Sequence, residues 1–129
     1  MKPPSDEPSL ELRDHFESPR NAGVREDADV HVEVENPVCG DLLHLWVKLD
    51  GSGARVSAAR FQVYGCPAAI AAGSVTTELI RGRSRDELAS LGSDEIAAAL
   101  GGLEARRAHA AELAADAVRG AAARWSGAR

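Results

Sequence analysis

The sequence predicts an α+β domain, a three-stranded antiparallel sheet with helices packed on one face. Three observations carry this. Side chains alternate apolar and polar through residues 30–34, 43–49 and 59–64. The turn-forming run Asp50-Gly51-Ser52-Gly53 joins the second of these stretches to the third, as a hairpin requires. Beyond Pro67 the alternation gives way to alanine-rich stretches interrupted by Gly82, Gly92 and Gly101-Gly102, which reads as a series of helices. A chain of 129 residues supports one core of this kind without disulfides or a metal to hold it.

In chain order, residues 1–8 carry three prolines and three charges and no period, so a flexible lead-in is expected there, and a single domain is expected over residues 9–126. Leu12 and Phe16 give a first helix over 9–17 one apolar stripe, and Pro19 stops it. Asn21-Ala22-Gly23 turns the chain. Val30, Val32 and Val34 face inward from the first strand, with His31, Glu33 and Glu35 outward. Leu43, Leu45, Val47 and Leu49 do the same in the second, against His44, Trp46 and Lys48, and Ala59, Phe61 and Val63 in the third, against Arg60, Gln62 and Tyr64. Pro67 suits the first position of a helix that runs to Ile80. Ser84 and Glu87 fit a capping box for a short helix to Leu91. Residues 93–100 give a third short helix, and 104–125 a long one in which His109, Leu113, Ala117, Ala121 and Trp125 share a face.

A net charge of −5 opposes non-specific attraction to phosphate backbones, so nucleic acid is not an expected partner. No uncharged apolar run approaches the ~20 residues that span a bilayer, so no integral membrane protein is expected. The opening Met1-Lys2-Pro3-Pro4 lacks the apolar core of a signal peptide and two cysteines are not a disulfide framework; the expected location is cytoplasmic, with reduced thiols. A phosphate-cradling glycine loop with lysine, a His-Glu-x-x-His pair and a nucleophile elbow are all missing, and no enzyme activity is expected.

Three places could carry chemistry. In Val38-Cys39-Gly40-Asp41, extended backbone would turn Cys39 and Asp41 to the same side, with Gly40 allowing close approach; a loop cysteine beside a turn aspartate is the plainer alternative. In Tyr64-Gly65-Cys66-Pro67, Cys66 falls at a helix N-cap, where free amides favour the thiolate, though a buried inert cysteine fits as well. His109 lies on the packing stripe of the last helix, either as a ligand at the rim or as a packed helix-end residue. Cys39 and Cys66 are too far apart in sequence for a zinc ribbon. His15, His31 and His44 read as solvated, and Arg106 and Arg107 either meet an anionic partner or form a solvated face.

Taken together, the blocks resemble the NifU/IscU-type iron–sulfur cluster scaffold family. Asp14-His15-Phe16-Glu17-Ser18-Pro19-Arg20-Asn21-Ala22-Gly23 is similar to that family's N-terminal signature, Asn36-Pro37-Val38-Cys39-Gly40-Asp41 to its first ligand loop, and Tyr64-Gly65-Cys66-Pro67-Ala68-Ala69 to its second, with Thr77-Glu78 and Gly82 following. The resemblance runs from Leu12 to Trp125. It implies a NifU/IscU-like sheet-and-helix fold and a 2Fe-2S cluster or zinc where three loops meet, held by Cys39, Asp41, Cys66 and His109. It also implies a cysteine desulfurase and recipient apo iron–sulfur proteins as partners.

Two departures accompany it. The family's histidine is followed by a third cysteine, a sulfur acceptor, where this chain has Ala110, and Leu103-Glu104-Ala105-Arg106-Arg107 replaces the proline-containing segment by which some members engage an Hsp70-type chaperone. The first expectation is a weakened scaffold that binds a labile 2Fe-2S cluster or zinc and passes the cluster on. The others are a zinc-holding or metal-free modulator of a desulfurase, and a sulfur acceptor working through Cys66. A site one cysteine short could borrow a ligand from a second copy, which leaves a homo-oligomer open.

Overall fold

The computed structural model describes residues 8–36 and 40–125; Cys39 lies outside the described residues, with Pro37 and Val38. Strands β1 (Val30–Glu35), β2 (Leu42–Leu49) and β3 (Val56–Tyr64) form one antiparallel sheet in the order β1-β2-β3. Val30 pairs with Val47 and Glu35 with Leu42, while Leu42 pairs in turn with Tyr64 and Leu45 with Phe61. This register puts Val32, Leu43, Leu45, Val47 and Phe61 in the core.

Helices α2 (Pro67–Leu79) and α5 (Ala108–Ala123) cover that dry face, with α1 (Leu10–Glu17) packed on α2 and the short α3 (Arg85–Ala89) and α4 (Ser93–Ala99) on α5. The inward faces of α2 and α5 are mostly alanine: Ala69, Ala72, Ala114 and Ala121 are fully buried. Small side chains let backbone approach sheet, and one position takes this to its limit. A Cβ on Gly73 would fall 2.4 Å from the Phe61 ring, so the ring lies directly against the α2 backbone. Trp125 anchors the far end of the last helix by donating its indole N–H to the Gly53 carbonyl at 2.9 Å.

The expected elements are present, with boundary shifts that have tertiary causes. β3 begins at Val56, three residues before the alternation becomes visible at Ala59, because Val56 exchanges hydrogen bonds with Gly82 and Arg83 in the turn after α2 (both 2.9 Å). The outer edge of β3 is covered where Asn21 and Gly23 bond to Phe61. Asn21 reaches φ 61°, a region asparagine tolerates, and its amide donates to Thr77 Oγ1 at 3.0 Å. The Ser84–Glu87 capping box is formed. Residues Ala105–Arg107 make a 3-10 turn, so α5 starts at Ala108 rather than at 104.

His15 corrects the solvated reading. It is buried, with Nδ1 2.7 Å from Ser74 Oγ and Nε2 3.5 Å from Glu78. Residues i+3 and i+4 from Leu12 both lie near its stripe, and packing on α2 selects i+3, burying His15 and leaving Phe16 exposed. On the outer face of the sheet His31 is exposed, whereas His44 is half-buried and Trp46 buried, because the indole stacks on both imidazoles.

Candidate metal centre

Pairing of Leu42 with Tyr64 aligns the start of β2 with the end of β3, so Asp41 and Gly65-Cys66 are neighbours by register. Cys66 caps α2 at its N-terminus, as Pro67 in the first turn predicts. The packing of α5 against α2 brings His109, one residue into α5, to the same corner. The loop preceding β2 is closed by Asn36 N–H to the Asp41 carbonyl at 2.8 Å and Gly40 N–H to the Asn36 carbonyl at 2.7 Å.

Three of the four expected site residues meet. Asp41 is buried; its Oδ1 accepts from the Cys66 backbone N–H at 3.3 Å. Its Oδ2 lies 3.3 Å from Cys66 Sγ and 3.4 Å from His109 Nε2, and sulfur and imidazole nitrogen are 3.7 Å apart. Ligands about 2.0–2.3 Å from a tetrahedral ion are separated by about 3.3–3.8 Å, so the three donors already have the spacing of one face of such a shell. Thiol, imidazole and carboxylate together suit zinc or iron. The fourth expected residue, Cys39, lies outside the described residues.

Gly65 makes this close approach possible and was not singled out by the sequence reading. A Cβ there would sit 2.4 Å from Asp41 Oδ1 and 2.6 Å from its Cγ, so the carboxylate occupies the space a side chain would fill. Only knowledge of the strand register could have revealed this.

Of the two readings open for Cys66, the structure favours the protonated thiol over the thiolate. Burial, and secondarily the Asp41 carboxylate that accepts the thiol proton, push its pKa up, outweighing the helix-end amides of Ala68 and Ala69. Without a metal the thiol keeps its proton. Arg106 and Arg107 both lie near the Glu104 carboxylate, at 3.5 and 2.7 Å. With Leu12, Phe16 and Pro67 they line a groove of about 440 Å³ that opens beside Cys66 and His109.

The NifU-like N terminal domain model matches residues 9–129. The chain belongs to this family, which includes the IscU-type iron–sulfur cluster assembly scaffolds. It is 45% identical over 106 residues to the iron–sulfur cluster assembly scaffold protein IscU 1 of Archaeoglobus fulgidus, covering 82% of this chain and 68% of that one. The IscU scaffold of Escherichia coli K12 is 38% identical over 124 residues, covering 94% and 95%. These relatives are named as scaffolds rather than enzymes. Among solved structures, one from Fervidobacterium islandicum, described as a scaffold protein for the SUF system, superposes with TM-score 0.70 at 20% identity, covering 88% of this chain and 95% of that one. A NifU-like N-terminal structure from Brucella abortus gives 0.68 at 18%, covering 90% and 92%. They share its α+β fold. Within this NifU-like domain Ala110, next to His109, is fully buried in the core. Among the described residues no helix is long and apolar enough to cross a membrane.

Proposed function

We propose that this chain is a scaffold on which a labile 2Fe-2S cluster is assembled and from which it is passed to recipient apo-proteins. The observation that carries the reading is the spacing of Asp41, Cys66 and His109, three donors of different softness brought together from the starts of β2, α2 and α5. Cys39 is proposed as the fourth ligand.

Iron and sulfur are the substrates. Ferrous iron entering between the donors displaces the Cys66 proton, which leaves to solvent by way of the Asp41 carboxylate already hydrogen-bonded to that thiol, so Asp41 remains ionised as a ligand. Sulfur comes from a cysteine desulfurase: a scaffold thiolate attacks the outer sulfur of the enzyme's persulfide, the S–S bond breaks, and the enzyme leaves as its thiolate. Each sulfur so transferred needs two electrons to become sulfide: of the four that two sulfurs require, two come from oxidation of the two ferrous ions to the ferric state and two from an external thiol reductant. A carboxylate and an imidazole bind iron less tenaciously than two further thiolates would, which favours release of the finished cluster. The expected setting is the cytoplasm.

A second reading is favoured by Ala110: a chain that holds zinc through the same donors and modulates a desulfurase without building clusters. The two separate in one experiment. Incubation with desulfurase, cysteine, ferrous iron and a thiol reductant, without oxygen, is expected to give 2Fe-2S absorption that moves to an added apo-ferredoxin and is lost in Cys66→Ser. Absence of cluster absorption together with altered desulfurase turnover would replace the scaffold reading with the modulator.

A further inference from the structure

The outer face of the sheet carries a second group of metal-capable side chains, independent of the scaffold reading. In the β1–β2 register His31 stands opposite Trp46 and Glu33 opposite His44, so the two histidines are diagonal neighbours on one face. His31 Nε2 and His44 Nδ1 lie 3.0 Å apart, and the two rings are within 8° of parallel. Trp46 stacks on both, at 4.9 Å from His31 and 5.3 Å from His44, which fixes their planes. The other nitrogen of His44, Nε2, is 3.3 Å from Glu33 Oε2.

We propose that His31 Nε2 and His44 Nδ1 form a binding site for a late first-row divalent cation, with Cu²⁺ preferred. Imidazole nitrogens about 2.0 Å from one ion sit about 2.9 Å apart at a square-planar edge and about 3.3 Å apart at a tetrahedral one; the hydrogen-bonded 3.0 Å separation lies between the two, so a small turn of the rings brings both lone pairs onto one ion, and Cu²⁺ leads because it heads the affinity order at nitrogen sites. Glu33 supplies what a ligating histidine ordinarily has, a carboxylate that takes the proton on the non-ligating nitrogen. With Nε2–H of His44 donated to Glu33, its Nδ1 is the lone pair that now accepts from His31 Nε2–H. Cation binding takes the place of that shared proton, which moves through solvent to His31 Nδ1, so His31 stays neutral with its proton on the non-ligating nitrogen. Water completes the coordination.

This site is distinct from the candidate centre. Asp41 immediately precedes β2; His44 lies three residues further on, about 10 Å of extended chain, on the outer face of the sheet, whereas Asp41 is buried.

The test uses the full chain with Cys39→Ser and Cys66→Ser, so that neither thiol reduces or captures Cu²⁺. Titration with Cu²⁺ followed by electron paramagnetic resonance and tryptophan fluorescence is expected to show one ion per chain at this site, a two-nitrogen splitting pattern, and quenching of Trp46. His31→Gln or His44→Gln is expected to weaken binding at least tenfold and abolish the two-nitrogen pattern; Glu33→Gln is expected to weaken it by about tenfold. Thermal unfolding of each variant checks that the fold is retained. Absence of binding, or a two-nitrogen signal that survives His31→Gln and His44→Gln, overturns the proposal, as does a signal that disappears with His109→Gln instead.

Discussion

Gly65→Ala is the most informative single change, because it adds one methyl group and touches only the candidate centre. The new Cβ would fall 2.4 Å from Asp41 Oδ1, where ordinary contact begins near 3.4 Å, so the carboxylate must retreat by about 1 Å. That retreat breaks the 3.3 Å bond from the Cys66 N–H and opens the 3.3 and 3.4 Å approaches to Cys66 Sγ and His109 Nε2. Losing a hydrogen bond to a buried carboxylate costs about 1.5–3 kcal/mol, and for a chain of this size each kcal/mol lowers Tm by roughly 3–5 °C. Misplacing a ligand is expected to lower zinc or iron affinity at least about tenfold. Calorimetry and zinc competition measure the two effects. The two effects are coupled through Asp41: in an Asp41→Ala background there is no carboxylate to displace, so the added methyl should cost little. Parent-like Tm and affinity in Gly65→Ala, or a penalty as large in the Asp41→Ala background, would refute it.

Gly73→Ala forces the Phe61 ring away from α2 and is expected to destabilise the fold by about 1–3 kcal/mol in denaturant unfolding, without altering metal stoichiometry. His15 is held below the ordinary histidine range, chiefly by burial and secondarily by Arg20. The unfolded chain therefore binds more protons as pH falls through the ordinary value of about 6.5, so stability present above that pH is lost below it. His15→Gln should flatten this dependence in unfolding measured between neutral and mildly acidic pH. Ala110→Cys restores a thiol beside His109 and is expected to lengthen cluster lifetime; an unchanged lifetime would show that the missing thiol is not what makes the cluster labile.

The strands and helices were legible because each is written in a local period: Val30, Val32 and Val34 in twos, Leu113, Ala117 and Ala121 in fours. What needed the third dimension was less accessible. The early start of β3 depends on pairing with Gly82 and Arg83, and the burial of His15 depends on Ser74, 59 residues away. Asp41, Cys66 and His109 were nominated from local context and family resemblance, but their meeting point follows from the Leu42–Tyr64 register and the packing of α5 on α2. Cap logic left thiolate and inert thiol both open at Cys66, because it counts the helix amides and cannot count burial or the carboxylate.

The most direct measurement is elemental: zinc, iron and acid-labile sulfide in protein purified without oxygen, before and after reconstitution with desulfurase, cysteine, ferrous iron and a thiol reductant. The expected result is iron and sulfide in equal amounts after reconstitution, lost in Cys66→Ala. Zinc that iron cannot displace, with no sulfide gained, would contradict the scaffold.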